Sequence, residues 1–193
     1  FATYKIMTFF PELNIMIIVL LSGVITAFVG ILFGLPSLRI KGFYLAVATL
    51  ASQFFIIWLF NKVPWFYNYS DTGQITVSER TMFGVAVTGA NAPPYATYLF
   101  CLILVVVLGF AAKNMIRSKI GRSWMAIRDM DIAAEIIGVP PLKTKLSAFA
   151  ISSFYIGIAG SLYFAVYLGA LEVTESFDIC LLYTSPSPRD GSE

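Results

Sequence analysis

Two groups of residues in this chain have types and spacing that could do chemistry. Thr49 and Gln53, with Ser52 between them, sit in an otherwise apolar run. They are one helical turn apart and share a face. Such a pair can hydrogen-bond a neighbouring helix or line a translocation path for a polar solute. The second group is "GRSWMAIRDMDIAAEIIGVPP", Gly121 to Pro141. Helical spacing puts Trp124, Ile127, Met130, Ala134 and Ile137 on one side, and Arg128, Asp131 and Glu135 on another. Ser123 can cap the start, and Gly138 followed by Pro140 and Pro141 gives a stop. The pattern predicts one short amphipathic helix. A helix bearing Trp and Ile either lies on a lipid surface or inserts its apolar side into a groove on a partner. Its mixed charge argues against a simple anionic-lipid anchor, which would be mainly basic.

Little else is available for catalysis. There is no His in the 193 residues, so the commonest general base and the commonest transition-metal ligand are missing. The two cysteines, Cys101 in an apolar run and Cys180 near the end, are too few for a disulfide framework or a Cys-rich metal site. No G-x-x-x-x-G-K-[ST] loop occurs, so an ATP-driven step would need another chain to bind the nucleotide. No catalytic residue, metal site or nucleic-acid partner is expected.

The elements that must hold these groups are membrane spans. Hydrophobic residues make up 58% of the chain and charged residues only 12%, against roughly 25% charged in a soluble domain. Four uncharged runs follow: Leu13–Leu35, Gly42–Phe60, Tyr95–Ala112 and Leu146–Leu171. The first, as a helix, reaches about 35 Å, enough to cross ~30 Å of hydrocarbon. The expected fold is all-α, a polytopic transmembrane helix bundle of four spans with a short helix outside the membrane. The turn Pro36–Lys41 and the segment Lys113–Lys145 hold nine of the thirteen Lys and Arg residues. Four spans put both on one side, which the basic bias makes cytoplasmic.

The loop Asn61–Pro94 then faces outward. Its start, Trp65 to Tyr69, has the composition of an interfacial aromatic belt. Its mildly apolar stretch Thr81–Ala92 is expected to lie in the interface or re-enter. Small residues mark helix packing faces. In the fourth run Ser153, Gly157, Ser161, Ala165 and Gly169 recur every four residues, and in the first Gly23, Ala27, Gly30 and Gly34 form a similar stripe.

Three blocks carry a resemblance to a known family: "GLPSLRIKGFYLAVATL" (Gly34–Leu50), "GRSWMAIRDMDIAAEIIG" (Gly121–Gly138) and "KLSAFAISSFYIGIAGSLY" (Lys145–Tyr163). In them the chain resembles the permease subunits of bacterial ABC importers, specifically the branched-chain amino acid (Liv-type) branch. The second block is similar to the cytoplasmic EAA loop that such permeases insert into a cleft of their ATPase subunit. Ala133, Ala134 and Gly138 fit its E-A-A-x-x-x-G pattern, with Ile132 where the broader pattern has Glu. In the outer loop Asp71-Thr72-Gly73-Gln74 stands where many relatives have a Thr-Gly-Gly run.

The resemblance implies an importer for branched-chain or related amino acids, multi-pass in the bacterial cytoplasmic (inner) membrane. It places Arg122, Trp124, Ile127 and Arg128 at the ATPase contact, with Ala133, Ala134 and Gly138 allowing close approach. The implied partners are ATP-binding subunits, a second permease subunit and an extracytoplasmic solute-binding protein, with the lipid bilayer around them. ATP and Mg would sit on the ATPase, and no cofactor on this chain. The alternative is a secondary or channel-like carrier. Spans without charge count against it, because ion-coupled carriers usually keep an ionisable group at membrane depth. An intramembrane enzyme finds no His, Asp or Glu in any span, and a structural membrane scaffold stays open on physics alone.

The chain's last residues break the pattern. Cys180 to Asp190, "CLLYTSPSPRD", resemble the translation of a common transposase-based sequencing adapter over eleven consecutive residues. On that resemblance the permease domain is residues 1–179, an internal fragment lacking N-terminal and C-terminal spans. Residues 180–193 are then a non-native tail, without function for Cys180 or the Ser-Pro pairs.

Overall fold

The computed structural model describes residues 1–38, 43–67, 69, 74–77, 80–82, 85–88 and 93–172. The side chains of Thr49 and Asp131, the run Asp71–Gly73 and the whole C-terminal tail from 173 lie outside the described residues. Helix α1 (Ala2–Phe9) leads into α2 (Ile15–Leu38) and α3 (Phe43–Lys62). A 3-10 turn at Pro64–Tyr67 opens the outer loop, which contains β1 (Gln74–Thr76), β2 (Arg80–Met82) and β3 (Val85–Thr88). Then come α4 (Pro94–Arg117), α5 (Lys119–Asp129), α6 (Asp131–Ile136) and α7 (Pro141–Leu162). A π-helical turn, Tyr163–Leu168, extends α7 and leads to β4 (Ala170–Glu172).

The uncharged runs become helices because a backbone in hydrocarbon must satisfy its N–H and C=O groups within its own segment. Among the described residues, three helices are long and apolar enough to span a membrane: Ile15–Pro36, Pro94–Arg117 and Pro141–Leu168. The expected second span forms α3, 20 residues or about 30 Å long. The chain is thus an all-α, polytopic bundle, with a few short strands at one end. Both α4 and α7 begin with Pro in their first turn, where its missing N–H leaves no helical bond unmade.

The bundle is centred on α2 packed antiparallel against α7. As the α2 contacts advance through Gly23, Gly30 and Gly34, their α7 partners retreat through Ile158, Ser153 and Phe149. A Cβ on Gly157 would lie 2.6 Å from Thr26 Cβ and 3.0 Å from Gly23 Cα. A Cβ on Gly30 would lie 2.6 Å from Ser153 Cβ. The two stripes of small residues therefore face each other, backbone against backbone. Ile15, Ile18, Val19, Ser22, Ile158, Ser161 and Ala165 are all buried along this seam. Ser22 Oγ donates to Val19 O at 2.8 Å and Thr26 Oγ1 to Ser22 O at 2.8 Å. Tyr155 OH ties α7 to α4 by donating to Leu108 O at 3.0 Å.

Gly169 does not belong to that stripe. It ends the helix at φ +68, its amide donates to Phe164 O, and nothing lies within 4 Å of a Cβ built on it. The π-helical turn before it changes the winding, so a period of four no longer tracks one face. The fourth span accordingly runs Pro141–Leu168 rather than Leu146–Leu171.

The outer end is more structured than an interfacial loop. β4 pairs antiparallel with β1, Ile75 opposite Leu171, and β2 pairs with β3. The stretch expected to lie in the interface or re-enter carries the paired β2 and β3, and Val87 is buried in the core cluster. Aromatic residues gather at the same end. Phe1 stacks on Phe60 with centroids 4.3 Å apart, and Lys5 Nζ sits 4.3 Å over the Trp65 ring.

Candidate partner-docking surface

At the other end of the bundle the chain turns sharply out of α4. Ser118 is extended, its amide and hydroxyl both donate to Met115 O, at 3.1 and 2.6 Å, and α5 begins at Lys119. The corner is so tight that a Cβ on Gly121 would come within 2.6 Å of Ile116 Cα. Sequence reading had no reason to single out Gly121, because the corner is set by the packing of α5 on the end of α4.

α5 lies against the start of α7. Trp124 Nε1 donates to Ser147 Oγ at 3.0 Å, and Ser147 Oγ donates to Thr144 O at 2.8 Å. Ile127 is buried. Trp124, Ile127 and Arg128 meet Thr144, Lys145 and Ala148 around a cleft of about 370 Å3. The chain then breaks at Met130 (φ −153, ψ 101), and α6 is a separate short helix. Gly138 at φ +91 and the extended Pro140 close the segment. The Gly138 amide donates to Glu135 O and that of Val139 to Ala134 O, both at 3.0 Å, as in a helix terminus that needs glycine.

Several expectations are corrected here. The segment is two helices, because Asp129 and Asp131, poor helix formers, flank the extended Met130. Ser123 does not cap the helix, which begins at Lys119; its Oγ donates back to Lys119 O at 3.0 Å. Arg128 pairs with its neighbour Asp129 at 3.1 Å.

The predicted contact residues divide into two sets. Arg122, Arg128 and Gly138 are exposed, and Trp124 and Ala133 are half-buried. Ile127 and Ala134 face inward, 6% and 1% exposed, and hold the segment to the bundle instead of presenting it. The most exposed apolar side chains of the segment are Met130, Ile132, Ile136 and Ile137, each 70–82% exposed. Running the apolar period through Met130 as one helix left out Ile132 and Ile136. The spacing of Ile132 and Ile136 within α6 was the available signal. Gln53 is exposed on α3 and is not brought to this surface. The π-helical turn and β4 put Ser161, Ala165 and Gly169 toward the opposite end.

The family model described as the permease component of branched-chain amino acid transport systems matches residues 1–182. The chain belongs to this family. Among curated relatives, the high-affinity branched-chain amino acid transport system permease protein LivM of Salmonella typhimurium is 32% identical over 165 residues. That match covers 75% of this chain and 38% of the relative. LivM of Escherichia coli is 31% identical with the same coverage. A probable ABC transporter permease protein, y4mJ, of Sinorhizobium fredii is 30% identical over 149 residues, 74% of this chain and 41% of the relative. The chain therefore spans about two fifths of the length of the curated relatives it matches. No solved structure gives a significant match. The permease family and the membrane-length helices agree: this is a multi-pass membrane protein.

Proposed function

We propose that the chain is part of the membrane-spanning subunit of an ATP-driven importer of branched-chain or related amino acids in the bacterial cytoplasmic membrane. ATP and Mg are held by separate ATPase subunits. A second permease subunit completes the path, and an extracytoplasmic binding protein delivers the substrate. Family membership supports the substrate class, and the geometry of α5–α6 supports the coupling.

The observation that carries the coupling is the apolar face of α6. Exposed clusters of this kind mark interaction surfaces, and α6 is a short helix on a rigid mount. One residue, Ser118, joins α5 to α4, and the Trp124–Ser147 hydrogen bond joins it to α7. α7 in turn is locked to α2 by the glycine contacts. An ATPase that grips α6 and closes on ATP would move α5, and the α2–α7 pair would tilt with it as one body. Met130, Ile132, Ile136 and Ile137 make the contact, Arg122 and Arg128 stand at its rim, and Ala133 and Gly138 permit close approach.

The test uses the full-length permease with its ATPase and companion subunits in vesicles. ATP-dependent uptake of leucine that stops when the ATPase is disabled is expected. Uptake that persists with a disabled ATPase would reject this reading in favour of a secondary or channel-like carrier.

A further inference from the structure

Gln53 is the eleventh of the 20 residues of α3, so it sits at mid-span, with roughly 14 Å of helix on either side. It is exposed and has no hydrogen-bond partner among the described residues. Ser22, Thr26 and Asn61, by contrast, each donate to a carbonyl of their own helix. α3 meets α2 on a different side. Phe55 approaches Phe33 of α2, ring centroids 6.1 Å apart, and two residues of helix turn Gln53 about 200° from Phe55. The Gln53 amide therefore faces away from α2. An amide left unpaired against hydrocarbon is costly, so either a neighbouring span or a path for polar solutes must cover it.

The rest of that side of α3 decides between them. Gln53, Ile57 and Phe60 follow one another at helical spacing. Phe60 lies about 10 Å from Gln53 toward the outer loop, and other rings close over it. Phe1 stacks on it at 4.3 Å, and Phe66 meets it edge-on at 4.6 Å. A straight helix packed along this side would run into Phe1, whereas a small solute seated beneath the rings would not. One amide among apolar side chains suits a small amphiphile, and transport sites commonly lie near the bilayer midplane. The four apolar runs carry no charge, so a zwitterion at this depth must be met by neutral groups. A Gln side chain both donates and accepts. We propose that Gln53 contacts the transported amino acid at mid-membrane. Its N–H donates to the carboxylate, its carbonyl accepts from the ammonium, and Ile57 takes the aliphatic side chain beneath the Phe1, Phe60 and Phe66 rings. The identity of the solute rests on the importer reading above.

Thiol labelling of the full-length permease, assembled with its ATPase and companion subunits in vesicles, tests this. With the native cysteines replaced by Ser, Gln53→Cys should react with a charged, water-soluble methanethiosulfonate, and saturating leucine should protect it. Phe55→Cys, on the α2 side, should gain no protection from leucine. Gln53→Leu should raise the KM for leucine uptake about tenfold or more, as loss of a hydrogen bond to a charged group does, while the ATPase still co-purifies. Gln53→Asn, which keeps the amide, should recover part of that loss. Protection is read without ATP, which separates the site from the importer reading. Protection together with ATP-independent uptake would reject the importer and keep the site. ATP-dependent uptake without protection would keep the importer and overturn the site. No reaction at position 53, as for an amide covered by another span, or an unchanged KM in Gln53→Leu, would also overturn it.

Discussion

The α2–α7 seam and the α5–α6 segment use short side chains for opposite ends. In the seam, Gly23, Gly30 and Gly157 let two backbones touch, and a methyl group is already too much. In α5–α6, Gly121 and Gly138 shape corners, and between them Ile127 and Ala134 are buried while Ile132, Ile136 and Ile137 are exposed. Lipid gives no hydrophobic incentive for helices to associate, so the seam must be won by close packing. The segment outside the membrane has water around it, and there an exposed isoleucine cluster has a standing incentive to find a partner. One region is built to be rigid and the other, in the proposed function, to be gripped.

Breaking the seam should give the largest effect. Gly157→Leu forces a side chain into Thr26 and the Gly23 backbone and should cost on the order of 3 kcal/mol or more, read as lost thermal stability of the detergent-solubilised permease. Breaking the other region should leave stability alone. Ile132→Asp with Ile136→Asp should lower affinity for the ATPase by about 2 kcal/mol or more, some thirtyfold, with an unchanged melting temperature. Between the two regions lies the Trp124–Ser147 bond. Trp124→Phe removes one hydrogen bond worth about 0.5–1.5 kcal/mol; it should lower leucine uptake per ATP hydrolysed while the ATPase still co-purifies. The smallest effect sharpens the seam itself. Gly160 is three residues from Gly157 on α7, yet nothing lies within 4 Å of its Cβ position. Gly160→Ala should therefore stabilise by about 0.5–1 kcal/mol, the opposite sign to Gly157→Ala in the same melting experiment.

The two regions also differ in how readable they are in sequence. The seam is legible because close approach in lipid restricts residue size, and size repeats: Gly23 meets Gly157 and Gly30 meets Ser153 at helical spacing. Legibility ends where the winding changes, so Gly169 looks like another stripe member and is in fact a helix terminator. In α5–α6 the residue types announce an amphipathic, partner-seeking segment, but the break at Met130 is a backbone event that an apolar period does not encode. That single break exchanges inside for outside, burying Ala134 and exposing Ile137. The β1–β4 pairing joins segments far apart in the chain and follows only from where α7 ends, which no local pattern near Gln74 could indicate.

The proposed function requires that α6, not the inward side of α5, is what the ATPase holds. Cysteine cross-linking in the assembled transporter tests it most directly. With a short bifunctional maleimide, Ile136→Cys should capture the ATPase subunit, and capture should change between the nucleotide-free and ATP-bound states. Ile127→Cys, buried against the bundle, should not capture it. Cross-linking from position 127 but not from 136, or from neither, would rule out α6 as the docking helix.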